Sequence, residues 1–229
     1  MKTLSTDQIQ ALHAFVKKHY VEYYDVEIEL VDHLANDIEN QWIEDETLSF
    51  DTALERAFKK FGIFGFSDLV SIKEQNLQNH YFKLVGKEIY HFFHWPKIML
   101  TAAIFYILLL VIRYASIYID LESLYVITLW TVIIGSFAFM ISLALRIKKE
   151  NKATHKKWLI NRVQLSIIST PIILFQAFLG FMSRVAKQSD WLCAGLLLIL
   201  GLWVYTTYFV VLPIIKREKQ QTLNKLINL

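Results

Sequence analysis

Residues 98–119 read IMLTAAIFYILLLVIRYASIYI, and residues 123–145 read SLYVITLWTVIIGSFAFMISLAL. The first carries one charge, Arg113, and the second carries none; only Asp120-Leu121-Glu122 lies between them. Crossing the hydrocarbon core takes about 20 apolar residues in a helix. Both stretches reach that length, and their short link predicts a tight helical hairpin. Two further apolar stretches follow at residues 163–183 and 191–215. In lipid no water is available to the backbone, so each stretch is expected to be helical.

The rest of the chain has a different composition. Over 229 residues the apolar fraction is 55% and the mean hydropathy +0.35, above the range of an ordinary soluble domain. The excess lies after Pro96, whereas residues 1–94 are charged and periodic. The expected division is therefore a helical domain at 1–94, a membrane domain at 95–215 and a basic tail at 216–229. The expected fold class is all-α: a small cytoplasmic helical bundle followed by a four-helix transmembrane bundle. The first residues lack the continuous apolar core of a signal peptide, so the run after Pro96 is expected to be the first inserted. The single cysteine, Cys193, sits in an apolar run and is expected to act as a small hydrophobe.

Charge placement orients the spans. Residues 146–162 carry Arg146, Lys148, Lys149, Lys152, Lys156, Lys157 and Arg162 against one acid. The tail adds Lys216, Arg217, Lys219 and Lys225. The positive-inside rule puts both segments in the cytoplasm. The Asp120–Glu122 turn and a loop bearing Arg184 and Lys187 then lie outside, and both chain ends face the cytosol of a bacterial inner membrane. Lys148, Lys149, Lys152, Lys156 and Lys157 are candidates to meet anionic lipid headgroups. Trp95, Trp158 and Trp191 fall near span ends, where interfacial aromatics collect.

Before the spans, the spacing predicts amphipathic helices. Ile9, Leu12 and Val16 define one over residues 6–21. Val26, Leu30, Leu34, Ile38 and Trp42 define a second over 25–42, with Asp25, Glu29, Asp32, Asn36 and Glu39 largely off the stripe. Ten acids and no Lys or Arg occur between Glu22 and Glu46. Asp25, Glu29, Asp32 and Glu39 are thus candidates for docking a basic partner, either another protein or this chain's own basic connection. A third helix begins after Ser49 as N-cap, runs through Phe50, Ala53, Leu54, Ala57, Phe58 and Phe61, and stops at Gly62. A fourth covers about residues 67–93.

Three segments of this region carry a resemblance: Tyr23-Tyr24-Asp25, Glu29-Leu30-Val31-Asp32-His33-Leu34, and Ser49-Phe50-Asp51-Thr52-Ala53-Leu54-Glu55 through Phe61-Gly62. Residues 23–62 resemble the helical signalling domain HAAS of membrane proteins encoded beside PadR-type transcription regulators. They are also similar to the prefix domain of some ABC-type permeases. Thr47-Leu48 stands where the pattern has Gly, and Phe61 where it has Leu. The resemblance implies a helical cytoplasmic module with an interaction or regulatory role, and no chemistry.

Candidate chemistry is sparse. No Walker loop, dinucleotide fingerprint, zinc-protease helix or nucleophile elbow occurs. Glu29, His33 and Asp37 share one helix face, but a metal needs converging ligands. Glu88, His91 and His94 form one Glu-x-x-His-like run, whereas a di-iron bundle uses two plus further Glu. An interfacial cluster with Tyr90, Phe92, Phe93 and Trp95 is the expected role, with metal binding as the alternative. Arg113 near mid-run could be functional, or could snorkel outward towards Asp120. Thr170-Pro171 interrupts the third stretch, with Ser166, Ser169 and Gln176 nearby. A kink satisfied by hydroxyls is the plain reading. The leading expectation is a non-enzymatic regulatory, signalling or scaffold subunit without cofactor. Its partners would be membrane lipids and a cytoplasmic or membrane protein, with self-association open and no direct nucleic acid. A small transporter or channel-like subunit using Arg113, Thr170, Pro171 and Gln176 is the alternative, and a metal-dependent membrane enzyme comes last.

Overall fold

The structure, a computed structural model, describes residues 2–186 and 188–227, without the side chains of 175–178, 180–183, 185–186 and 225–227. The described residues are helical and contain no strand; one isolated bridge joins Tyr23 and Lys157. In order come α1 (Thr6–Lys18), α2 (Tyr24–Glu44), α3 (Phe50–Lys59), α4 (Phe66–His91), α5 (Lys97–Ala115), α6 (Leu121–Thr154), α7 (Leu159–Ala186) and α8 (Asp190–Tyr205). A π-helical turn, Thr206–Val211, then leads into α9 (Leu212–Ile227).

Two helix starts follow directly from local chemistry. Ser5 caps α1 in a capping box with Gln8, each side chain taking the other's backbone N–H. Ser49 caps α3 by accepting from the Thr52 N–H. Asp120 follows α5 and lies just ahead of α6. It accepts from the Ser123 N–H at 2.9 Å and so serves the first turn of α6.

The chain forms two compact units, and they divide it differently from the composition step. Unit 1 joins Met1–Leu77 to Lys149–Arg162; unit 2 joins Gln78–Lys148 to Val163–Leu229. The physical reason lies in the connection between α6 and α7. Its Trp158 and Leu159 are apolar residues inside a basic segment, and both are buried. Leu159 enters the core that α1, α2 and α3 build from Leu12, Val16, Leu30, Leu34, Ile38 and Trp42. Trp158 is therefore no interfacial aromatic: its ring lies edge-on to Tyr24 with centroids 5.5 Å apart. The expected loop at 146–162 is also mostly helix, since α6 runs to Thr154 and α7 starts at Leu159.

Among the described residues three helical stretches are long and apolar enough to cross a membrane: Lys97–Ala115, Leu121–Thr154 and Asp190–Asn224. The described apolar part of α7 covers Leu159–Leu174. Helices α5 and α8 pack together. Small side chains on α8 permit this approach, because Cys193 and Ala194 are fully buried against Leu109, Ile112, Tyr125 and Leu129. Cys193 thus fills space, as its apolar setting predicts. A second cluster joins α6, α7 and α9 through Leu143, Ile147, Ile168 and Leu212. Tyr81 of α4, wholly buried, donates to the Glu218 carboxylate of α9 at 2.5 Å.

Truncating a buried Leu costs about 2–5 kcal/mol, while exposed positions change stability by about 0.5 kcal/mol or less. Leu159→Ala is therefore expected to destabilise unit 1 within that larger range, although residue 159 opens an apolar helix. Leu145→Ala, at an exposed position of α6, leaves unit 1 unaffected. Denaturant unfolding followed by fluorescence of the buried Trp42 separates the two.

Candidate functional site

The densest polar construction in unit 1 brings Glu22-Tyr23-Tyr24-Asp25 onto residues 156–162. The Tyr24 N–H donates to the Lys157 carbonyl at 2.8 Å. One residue on, the Asp25 carboxylate accepts from the Leu159 N–H at 3.1 Å. Leu159 is the first residue of α7, whose opening N–H groups have no partner within the helix. A carboxylate supplied from α2 thus caps a helix far along the chain and meets the positive end of its dipole. Lys157 pairs with Glu22 at 2.7 Å, and the Lys156 ammonium lies 3.6 Å from the Tyr24 ring centroid. Arg162 completes the clamp with Nε 2.8 Å from Glu74 and Nη1 donating to the Tyr23 hydroxyl at 2.9 Å.

Protonation follows the same geometry. Burial pushes the Asp25 carboxyl above the usual carboxylate range, against the lowering effect of the Leu159 N–H. Lys157 holds Glu22 below that range, through a hydrogen bond and its charge. Glu22 raises Lys157 in return. Both partners are exposed, so the pair contributes little to stability.

The other acids singled out in the sequence are also engaged inside unit 1. Glu29 pairs with Lys73, and Glu39 accepts from the Leu4 N–H at 3.0 Å. Asp32 is exposed and accepts from Asn36 at 3.3 Å. Asp37 meets Lys60 at 2.6 Å, so it does not join Glu29 and His33 around an ion. Sequence reasoning missed Glu27. It is buried on α2 and takes both His13 at 2.7 Å and Lys17 at 3.2 Å. It also missed Glu74 and the role of Tyr23. The Tyr23-Tyr24-Asp25 run and the apolar residues inside the basic connection were the available signals.

A cavity of about 530 Å³ opens beside this clamp. Its lining includes Tyr20, Phe58, Ile63, Phe64, Phe66 and Arg162. Phe58 and Phe66 meet with ring centroids 5.0 Å apart, and Phe15 and His19 pack on the same pair. At its edge Gly62 and Gly65, with φ of 75° and 55°, bracket Ile63-Phe64 in a turn that needs left-handed backbone.

In unit 2, Arg113 lies in the last turn of α5 and not at mid-helix. Its Nε is 3.5 Å from Asp190, the residue that opens α8. A cation there also suits the negative end of the α5 dipole. Pro171 falls inside α7 and, lacking an N–H, leaves the Ile167 carbonyl without its usual donor. The Thr170 hydroxyl donates to that carbonyl at 2.7 Å. Tyr208 of the π-helical turn donates to the Ile168 carbonyl at 3.1 Å, and Ser169 to Ser166 at 2.8 Å. The interruption is satisfied by hydroxyls. An apolar cavity of about 250 Å³ adjoins it, lined by Tyr125, Pro171 and side chains of α8. The side chains of Gln176, Lys187 and Lys225 lie outside the described residues.

His94 contacts the Tyr90 carbonyl through Nδ1 at 3.1 Å. Among the described residues no three His, Cys, Asp or Glu gather as metal ligands, and Glu88, His91 and His94 form no such group. Lys148, Lys149 and Lys152 are exposed on the last turns of α6, whereas Lys156 and Lys157 are committed to the clamp. No family model, characterised protein or solved structure matches this chain.

Because Asp25 titrates higher in the folded state than unfolded, the folded state holds the extra proton between the two values. Stability falls as pH rises through that window. Asp25→Asn keeps an acceptor for Leu159 and removes the buried charge. The difference in unfolding free energy between wild type and Asp25→Asn is expected to shift in favour of the variant from pH 3 upward (about one unit below the ordinary range) to neutrality. Chemical denaturation across that range measures it, and a pH-independent difference would contradict the assignment.

Proposed function

We propose that this chain is a non-enzymatic integral membrane protein, a regulatory or scaffold subunit whose acidic N-terminal unit communicates with its membrane helices. The observation carrying this reading is the seating of residues 149–162 in unit 1. This connection leaves one long apolar helix, α6, and enters another helix, α7. Its Leu159 is part of the core of unit 1, and Asp25, Glu22, Tyr23 and Glu74 hold its backbone and charges. A domain that only decorated the apolar helices would need a tether and would draw no core residue from the segment that links α6 to α7.

The membrane arrangement in this reading has four spans with both ends in the cytosol, and α7 supplies the fourth. The exposed Arg146, Lys148, Lys149 and Lys152 support a cytoplasmic α6–α7 connection next to anionic headgroups. In this reading, the HAAS-like helices provide the partner-facing module.

Two measurements test the proposal. With Cys193→Ala as background, Tyr118→Cys is expected to react with an impermeant maleimide added to intact cells, and Lys152→Cys only after permeabilisation. The reverse pattern rejects the orientation. For the role, full-length tagged protein purified in mild detergent is expected to retain a stoichiometric protein partner. Trp158→Ala, which loosens the clamp, is expected to lower its recovery. A folded wild-type protein that retains none would count against a regulatory subunit.

A further inference from the structure

We propose that the cavity beside the Ile63-Phe64 turn is the docking site for an amphipathic helix of a cytoplasmic partner, apolar along one stripe and basic at its flanks. This rests on the regulatory reading above and assigns it a surface. That surface is distinct from the acidic face of α2, where Asp25, Glu29 and Glu39 have partners within unit 1 and Asp32 is exposed.

The turn presents its side chains outward. Ile63 is 98% exposed, Phe64 70% and Tyr20 92%. Tyr20 stands at φ 64°, a backbone conformation that costs a bulky residue energy. Scattered exposed hydrophobes need no explanation. Here three large ones rim a single cavity of about 530 Å³ whose floor is the Phe58–Phe66 pair. Aromatic side chains around a concave apolar floor are the usual anchors of a helix-in-groove contact. Gly65 is required for the shape: a Cβ there would lie 3.2 Å from the Phe58 ring, on backbone already left-handed.

Charge selects the occupant. Residues 1–77 hold fifteen acids against seven Lys or Arg, and residues 149–162 hold five Lys or Arg against one acid, so unit 1 keeps a net charge of −4. Within the lining, Glu22 pairs with Lys157 and Glu74 with Arg162, so the selecting charge is the net −4 of the unit as a whole. The lysines closest in sequence to the turn, Lys59 and Lys60, are paired with Glu55 and Asp37. A negative unit is repelled by the anionic cytoplasmic leaflet, so its apolar turn is poorly suited to lipid. A basic peptide is attracted.

The test uses the full chain in phosphatidylcholine nanodiscs, with empty discs as reference. The probe is a labelled Leu/Lys helix of about 14 residues with Leu at i, i+3, i+4 and i+7, alongside its Leu/Glu counterpart. The Leu/Lys peptide is expected to bind above the reference, and the Leu/Glu peptide about tenfold or more weakly. Ile63→Ser with Phe64→Ser is expected to weaken binding about tenfold or more, with the unfolding midpoint unchanged because both residues are exposed. Asp32→Asn is expected to change nothing. Equal binding to the Ile63→Ser/Phe64→Ser protein, or no binding above empty discs, overturns the site. So does loss of binding in Asp32→Asn alone, which would return docking to α2 and leave the regulatory reading standing. Phe64→Trp emission quenched by brominated lipid would place the turn in the bilayer and also overturn it.

Discussion

The hydrogen bond from the Leu159 N–H to the Asp25 carboxylate is the constraint from which the organisation of unit 1 follows. A helix that starts abruptly after a short connection leaves N–H groups that must find acceptors, and burial raises the cost of failing to do so. Trp158 and Leu159 bury this start, so water cannot serve it. Asp25 serves it instead, and the neighbouring Glu22, Tyr23 and Tyr24 hold the residues around it. The basic connection is therefore a structural part of the acidic domain, and it halves that domain's net charge from −8 to −4.

Much of this was legible in the sequence. The periodicity of Leu30, Leu34, Ile38 and Trp42 marks α2 and its buried face, and Ser49 marks the start of α3. The long apolar runs mark α5, α6 and the stretch from α8 into α9, each long and apolar enough to cross a membrane. Helix ends were less legible. Helix α6 continues past Arg146, where only the apolar run stops, because Arg and Lys are good helix formers. Trp158 shows a second limit. An aromatic beside a span can sit at headgroup level or in a protein core, and its neighbours in sequence do not distinguish these. Arg113 shows a third: its pairing with Asp190 depends on α5 lying against α8, a contact between residues far apart in the chain.

The acidic face of α2 has partners that its own sequence does not reveal. Asp25, Glu29 and Glu39 each meet a backbone N–H or a lysine within unit 1, while Asp32 is exposed and accepts from Asn36. Glu27, which escaped notice, is the buried one, tolerated because His13 and Lys17 both reach it. Side chains that look solvated along a helix acquire partners from elements whose position a single helix cannot reveal.

The seating of residues 149–162 in unit 1 also orders events during synthesis. Residues 1–77 leave the ribosome long before residues 149–162, and the intervening chain contains two long apolar helices, α5 and α6. At about 5–20 residues per second, the gap of some 70 residues lasts roughly 4–15 s. Throughout that interval the seat of Leu159 stands open and Asp25 has no N–H to cap. Unit 1 is completed only after α5 and most of α6 have been made, so its maturation waits on the apolar helices that lie between its two segments. A chain stalled before residue 149 exposes an apolar core that still lacks Leu159.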